Sequence, residues 1–267
     1  MLKFAGKSDK GLMRSHNEDA FCLIGGGEGE GCRSPLLLAV ADGMGGHLGG
    51  DVASQTAISI VRDSLAAEPL AAYAGAGAGA HDDNADSADG ADEIDARLTR
   101  LFVAANDAVY KKSLTEPNCF GMGTTLIIAV ISGLRLTVFH VGDSCAYYVR
   151  NGEILKITTD HTYVEELIKI GSLTREEAAR HPKRNVITKA VGCTGKVEAD
   201  VYRVELAHGD RILLCTDGLS KMLTEFEISE ILADGDDPDA ICGALVAKSN
   251  HRGGLDNITV LVSLCFA

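Results

Sequence analysis

The sequence predicts an α+β protein in which two mainly antiparallel sheets pack face to face and pairs of helices cover their outer surfaces. Three observations lead to this fold class. Short apolar runs of strand length follow one another closely, and Ser132-Gly133 and Asn151-Gly152 join neighbouring runs at hairpin spacing. A pair of helical segments follows the third strand, and another pair lies late in the chain. Such blocks of strands and helices are typical of packed layers.

Ten strands are predicted from runs of aliphatic and β-branched residues. They span residues 3–8, 21–24, 36–41, 124–131, 134–141, 145–150, 153–157, 200–206, 211–216 and 258–265.

The helices are predicted from apolar stripes and from start signals. Two stripes mark the first pair: Ala53, Thr56, Ala57, Ile60, Val61 and Leu65, then Ile94, Leu98, Leu101, Phe102, Ala105 and Val109. A Thr followed three residues later by Glu opens three more helices, at Thr162, Thr174 and Thr224. Asp237-Pro238 supplies an N-cap and a first-turn proline for the last helix, which is expected to end near Gly253-Gly254.

The helices of the first pair are separated by an unusual segment. Residues 66–95 contain eight acidic side chains and neither Lys nor Arg, and residues 71–80 are Ala and Gly apart from Tyr73. Such a segment buries too little apolar surface to offset the entropy of ordering. We therefore predict a disordered insertion at about 69–92, within a single domain that spans residues 1–267.

Composition limits the partners. The net charge of -13 argues against nucleic acid or an anionic membrane as a general partner. The eight cysteines show no C-x-x-C pair, which favours reduced thiols in a reducing compartment. No run reaches the roughly 18 apolar residues of a membrane span, and the N-terminus lacks a signal-peptide pattern. We expect a cytoplasmic monomer.

Acidic residues far apart in sequence share one kind of position. Four aspartates each stand at the end of a strand-like run, and the pair Glu18-Asp19 precedes another; the four are Asp42, Asp143, Asp217 and Asp256. If these strands share one sheet edge, their carboxylates converge, and mutual repulsion then requires cations. Oxygen ligands suit Mg²⁺ or Mn²⁺, and two such ions about 3.5 to 4 Å apart can activate a water molecule.

In this order the motifs resemble those of a known family. They are Arg14-x-x-Asn17-Glu18-Asp19, residues 40–47 (Val-Ala-Asp-Gly-Met-Gly-Gly-His), Val141-Gly142-Asp143-Ser144, Thr216-Asp217-Gly218 and Asp256-Asn257. From about residue 11 to 262 the chain resembles the metal-dependent Ser/Thr protein phosphatases of type 2C, in their bacterial form. The resemblance implies a four-layer α-β-β-α sandwich with the metal cluster at one mouth. It also implies hydrolysis of phosphoserine and phosphothreonine in proteins by an activated water, opposing a bacterial-type Ser/Thr kinase.

The resemblance implies a role for each acid. Asp42 resembles the ligand that bridges two Mn²⁺ or Mg²⁺ ions, with the backbone carbonyl of Gly43 on the first ion. Asp217 and Asp256 resemble ligands of the second ion, and Glu18-Asp19 resembles the pair that acts through bound water. For any one of these acids taken alone, a turn-capping role is the alternative.

Two further roles concern the phosphate. Arg14 resembles the residue whose planar fork holds the phosphoryl oxygens, and the alternative is an ion pair with Glu18. Many relatives carry His directly after the Asp-Gly, where this chain has Met44. His47, three residues later, is therefore the candidate general acid, and a structural role in the glycine-rich turn is the alternative.

Asp143 is the candidate ligand of a third ion. Many relatives place an acid four residues after the second-ion aspartate, whereas this chain has Lys221 there, so a third ion should bind weakly. Residues 171–185 resemble the family's flap and present four basic side chains to an acidic phosphopeptide; these are Arg175, Arg180, Lys183 and Arg184. The alternative for the flap is an ordinary solvated face.

Two other functions remain open. One is a catalytically silent relative that binds phosphoproteins as a regulatory module, which loss of metal-binding acids would favour. The other is a two-metal phosphodiesterase or nuclease, which the net charge disfavours.

Overall fold

The computed structural model describes residues 2–26, 35–45, 49–70 and 88–266, with only the backbone described at 88–92. His47 and the greater part of the predicted insertion lie outside these ranges.

The predicted strands are all present. Their observed bounds are β1 Leu2–Asp9, β2 Asp19–Gly25, β3 Leu36–Met44, β4 Gly123–Thr124, β5 Leu126–Ser132, β6 Arg135–Val141, β7 Cys145–Arg150, β8 Glu153–Lys156, β9 Asp200–Glu205, β10 Arg211–Cys215 and β11 Ile258–Cys265. The run predicted at 124–131 is divided, because β4 pairs with the end of β3 at Gly43 and Met44 while β5 pairs with its start.

The strands form two antiparallel sheets. The first has the order β1-β11-β10-β7-β8, and the second has the order β2-β3-β5-β6-β9 with β4 beside β3. Asn151 and Gly152, at φ of 53° and 81°, form the predicted turn between β7 and β8. The turn between β5 and β6 is one residue later than predicted: Ser132 pairs with Arg135, so Gly133 and Leu134 occupy the turn.

Seven α-helices are described, together with a short 3-10 helix at Pro117–Cys119. Their bounds are α1 Gly49–Ala67, α2 Ala88–Thr115, α3 Tyr163–Lys169, α4 Arg175–Ala179, α5 Asp217–Ser220, α6 Glu225–Ala233 and α7 Pro238–His251. Thr174 and Thr224 form full capping boxes, whereas the Thr162 side chain only accepts from the backbone of Glu165. The four-residue helix α5 was not predicted because it is too short to show periodicity.

Three apolar clusters separate four layers. Alternate residues of β3 show the principle: Leu37 and Ala39 face the cluster with α1 and α2, whereas Leu36 and Leu38 face the cluster between the two sheets. A third cluster packs α6 and α7 against the outer face of the first sheet. Burial of both faces explains why β3 is a continuous apolar run. The predicted α-β-β-α sandwich is therefore confirmed.

The connection between α1 and α2 is described only at its ends. Helix α2 begins at Ala88, so residues 88–92 are helical although they fall within the predicted insertion; residues 71–87 lie outside the described part. Within the described ranges, none of the helices combines the length and the hydropathy that crossing a bilayer demands.

Candidate active site

The structure brings the predicted acids to one end of the sandwich. Asp19 and Asp42 are direct cross-strand partners on β2 and β3. Asp143 follows β6, Asp217 follows β10 after one residue, and Asp256 precedes β11. Except for the buried Asp19, these aspartates line one cleft of about 570 Å³ together with Arg14 and Glu18. The cleft draws side chains from both sheets.

The peptide of Asp42 is fixed from β4 and the start of β5. Its N–H donates to Thr125 Oγ1 at 2.9 Å, and its carbonyl accepts from Thr124 Oγ1 at 2.8 Å and from the Thr125 N–H at 2.9 Å. A Cβ at Gly43 would lie 2.0 Å from the carbonyl oxygen of Gly50, so only glycine fits where β3 meets α1. The backbone therefore holds the Asp42 carboxylate toward the cleft without using its oxygens.

Asp19 joins the two sheets beneath the cleft. Its Oδ2 accepts hydrogen bonds from Thr216 Oγ1 at 2.9 Å and from Thr259 Oγ1 at 2.7 Å, which belong to the first sheet's β10 and β11 ends. Its Oδ1 is buried without a hydrogen-bond partner. Neither threonine was predicted from the sequence to belong to the site. Thr216 could have been suspected only because it directly precedes Asp217.

Arg14 contacts Asp256 instead of Glu18. Its Nη2 donates to Asp256 Oδ2 at 2.7 Å, so the alternative of an ion pair with Glu18 is wrong. Glu18 is held by its backbone, whose N–H donates to Asn257 Oδ1 at 2.8 Å. Asn257 Nδ2 in turn donates to the carbonyls of Lys10 and His16, each at 2.9 Å. Asn257 thus fastens the segment that carries Arg14 and Glu18 to the start of β11.

Asp217 and Lys221 form an ion pair across the first turn of α5. Burial disfavours the ammonium of Lys221, but Asp217, Asp143 and Asp42 outweigh that effect and raise its pKa. The other oxygen of Asp217, Oδ1, is buried without a hydrogen-bond partner. A fixed positive charge therefore stands where the sequence analysis noted the missing acid.

The turn that carries Asp143 is held by His161. The His161 N–H donates to the Gly142 carbonyl at 2.8 Å, and the Gly142 N–H donates to His161 Nδ1 at 3.0 Å. Because Nδ1 accepts, the ring proton is on Nε2, which lies 3.3 Å from Asp200 Oδ2. Gly142 has φ of 112°, a left-handed conformation that suits glycine. His161 is thus a support of the Asp143 turn.

The carboxylates strongly affect one another. Burial raises the pKa of Asp19 to about 7 and the pKa of Asp143 to about 7, and the Asp217 carboxylate adds to both shifts. Burial, followed by the charges of Asp19 and Asp217, raises the pKa of Asp42 well above its ordinary value. Burial and mutual repulsion therefore disfavour the ionised forms of these carboxylates when no cation is bound.

The donor set fits hard divalent cations. Asp19, Asp143 and Asp217 each bury an oxygen that has no hydrogen-bond partner, and oxygen donors are those that Mg²⁺ and Mn²⁺ prefer. In the described residues, no group of three or more His, Cys, Asp or Glu side chains has the geometry of a ready-made ligand set. Two of the acids instead pair with bases, Asp256 with Arg14 and Asp217 with Lys221.

Other residues of the cleft were missed or lie elsewhere. His47, the candidate general acid, is outside the described residues. His16 lines the cleft and was missed, although it stands between two motif residues, Arg14 and Glu18. Asn185, at the end of the flap, and Ile187, two residues beyond it, also line the cleft.

The flap borders a second cavity. Arg175 and Arg184 line a cavity of about 440 Å³ that adjoins the cleft at Asp143, Asp217 and Lys221. Two of the four basic flap residues therefore face a space beside the acids.

Comparison with known proteins agrees with this geometry. The sequence model described as Protein phosphatase 2C matches residues 14–235. The serine/threonine phosphatase stp of Listeria monocytogenes is 35% identical over 256 residues, covering 96% of this chain and 93% of that protein. The structure of the S. agalactiae serine/threonine phosphatase superposes with a TM-score of 0.81 at 34% identity, covering 99% of this chain and 100% of that chain. The catalytic domain of PstP, solved in complex with two manganese ions, superposes with a TM-score of 0.78 at 34% identity, covering 100% of this chain and 99% of that chain.

Proposed function

The chain belongs to the protein phosphatase 2C family, and from this premise we propose how its cleft acts as a metal-dependent serine/threonine phosphatase. One observation carries the proposal. Five aspartates from the ends of different strands meet at one mouth of the sandwich, and three of them, Asp19, Asp143 and Asp217, bury a carboxylate oxygen that has no partner. Such an arrangement is strongly unfavourable unless cations neutralise the carboxylates or some of them bind protons.

The acids would hold two Mn²⁺ or Mg²⁺ ions. Asp42 would bridge both ions, with the Gly43 carbonyl on the first, and Asp217 and Asp256 would hold the second. The pair Glu18-Asp19 would act through bound water, which suits Asp19 because Thr216 and Thr259 already engage one of its oxygens. When bound, the ions supply an acidified water as nucleophile and neutralise the phosphate.

Arg14 would bind the phosphoryl group. Its guanidinium is half exposed at the cleft, and among the residues that the structure describes it pairs with the carboxylate of Asp256 alone. Asp256 would also serve as a cation ligand, and the planar fork of Arg14 would hold two phosphoryl oxygens of the substrate. Water then attacks the phosphorus in line, the bond from phosphorus to the side-chain oxygen breaks, and His47 is the proposed donor of a proton to that oxygen.

A third ion, if it binds near Asp143, must compete with Lys221. The ammonium already pairs with Asp217 and interacts favourably with Asp143. We propose that Lys221 supplies the positive charge there and keeps a third ion weakly bound.

The remaining proposals concern partners. We propose that residues 1–267 form one domain that acts as a monomer on phosphorylated proteins, opposing a Ser/Thr kinase, and that neither nucleic acid nor membrane is a partner. The acidic net charge supports the last point. The reducing, cytoplasmic compartment stays a prediction.

One assay tests the function. Phosphate release from a phosphothreonine peptide is measured with Mn²⁺, with EDTA, and for Asp217→Asn, with the exposed Asp63→Asn as the matched control. Turnover should require Mn²⁺, survive in Asp63→Asn and fall by about 10³-fold or more in Asp217→Asn, since a metal ligand is lost. Mn²⁺ binding without turnover would instead favour the silent regulatory module, and cleavage of a phosphodiester would favour the nuclease.

A further inference from the structure

We propose that an apolar ledge, formed by Leu12, Met13 and Leu255, binds apolar side chains that flank the phosphorylated residue of the substrate. The inference rests on the proposed function and adds a sequence preference to it. The ledge side chains are 66%, 69% and 56% exposed, although each is large and uncharged.

The ledge is built by two segments that lie against each other. The N–H groups of Leu12 and Met13 both donate to the carbonyl of Gly254, at 2.8 and 3.2 Å. A Cβ at Gly254 would lie 2.9 Å from Leu12 N and 3.0 Å from Leu12 Cγ, so the Leu12 side chain rests on the backbone next to Leu255. Both segments are therefore held in place before any partner arrives.

The position of the ledge identifies its occupant. Met13 directly precedes Arg14, and Leu255 directly precedes Asp256, the two residues whose ion pair lies at the cleft. An extended peptide advances about 3.3 Å per residue. A phosphorylated side chain at Arg14 therefore brings residues one to three positions away onto the ledge, where uncharged surface favours apolar side chains.

Single exposed apolar residues need no explanation, but neighbouring ones mark an interaction site. Leu12 and Met13 lie beside Leu255 through the paired segments, and Met13 and Leu255 each immediately precede a residue that lines the cleft. The three side chains lie outside the apolar clusters between the layers. Their replacement should therefore leave the fold intact, which makes the ledge testable by substitution.

The test compares two phosphothreonine peptides that differ only at positions flanking the phosphorylated residue, which are Leu in one and Ser in the other. The wild type should show about a tenfold higher kcat/KM for the Leu peptide, the preference expected for partial burial of one or two leucines. The variants Leu12→Ser with Met13→Ser, and Leu255→Ser, should lose most of this preference and keep their rate on p-nitrophenyl phosphate. Leu134→Ser is the matched control, because Leu134 is exposed in the turn before β6, at the other end of that strand from Asp143.

Several results would overturn the ledge. Equal rates for the two peptides in the wild type would do so, as would an equal loss on both peptides and on p-nitrophenyl phosphate, which would show that the ledge only positions Arg14. Self-association of the wild type that the ledge variants abolish, measured by analytical ultracentrifugation, would assign the ledge to a second copy of the chain. Absence of all Mn²⁺-dependent turnover in the wild type would instead refute the proposed function itself.

Discussion

Replacing Asp19 with Asn should change how the stability of the metal-free protein depends on pH. Asp19 ordinarily titrates near 3.8, and burial raises its pKa to about 7 in the folded state. Between these two pH values the folded protein keeps a proton that the unfolded chain has released. The free energy of unfolding contributed by Asp19 is therefore fully present below about pH 4 and is lost as the pH rises through about 7.

The magnitude follows from the size of the shift. A shift from 3.8 to about 7 is worth about 4 kcal/mol, at about 1.4 kcal/mol per pKa unit. Asn has nearly the same shape, and its carbonyl oxygen can still accept from Thr216 and Thr259. Its amide would occupy the site of the unpartnered Oδ1, which costs about 1 to 3 kcal/mol at every pH. The free energy of unfolding of Asp19→Asn, relative to that of the wild type, thus contains a constant loss and a gain that grows with pH.

The assay is urea denaturation in EDTA at pH values from 4.5 to 8, followed by circular dichroism. Asp19→Asn should gain roughly 2 to 4 kcal/mol relative to the wild type across this range, and other titrating groups largely cancel in the difference. The exposed Asp63→Asn should show a constant difference. At pH 8 in EDTA, Asp19→Asn should be the more stable of the two proteins. With Mn²⁺ at the same pH the wild type should be the more stable, because the ions stabilise its ionised Asp19. A difference between Asp19→Asn and wild type that stays flat in EDTA would refute the argument.

Three further predictions concern catalysis and metal binding. Arg14→Lys keeps the charge but loses the planar fork, so steady-state kinetics should show kcat/KM for a phosphopeptide reduced about 10- to 100-fold; an unchanged value would remove Arg14 from phosphate binding. Lys221→Asp places a carboxylate beside Asp143 and should raise the Mn²⁺ stoichiometry in calorimetry from two to three, whereas Lys221→Met should leave it at two; equal stoichiometry in all forms would contradict the competition. His47→Ala should lower kcat about 100-fold or more for a phosphopeptide but little for p-nitrophenyl phosphate, whose leaving group needs no proton. His16→Ala is the comparison, and the selective loss appearing there instead would move the proton donor to His16.

Much of the architecture could be predicted because it depends on local pattern. Burial on both faces gives β3 and β5 continuous apolar runs, and turn residues mark where neighbouring strands meet. Capping residues fixed the starts of α4 and α6 at Thr174 and Thr224. The placement of acids at strand ends was visible for the same reason, since each acid closely follows or precedes an apolar run in the sequence.

The contacts among the site residues could not be predicted in the same way. Arg14 pairs with Asp256 and not with Glu18, and this pairing depends on how two loops 242 positions apart in sequence are packed together. The hydrogen bonds from Thr216 and Thr259 to Asp19 require both sheets to be packed first. The one-residue shift of the turn at Gly133 and Leu134 arises because register is set by cross-strand pairing of whole strands, to which a single Gly is a weak guide.

Because the cleft is formed by both sheets, the charges of its acids affect the stability of the fold as well as the proposed catalysis. Asp19 and Asp42 come from the second sheet, Asp217 and Asp256 from the first, and Asp19 hydrogen-bonds across the junction to Thr216 and Thr259. Cations that neutralise these carboxylates therefore strengthen the contact between the sheets at that mouth, while repulsion weakens it when the cations are removed. Arg14 and Lys221 limit that repulsion by pairing with one acid each. If Asp256 and Asp217 bind metal ions as proposed, the same two bases would compete with the ions for them, so we expect stability without metal and affinity for metal to oppose each other.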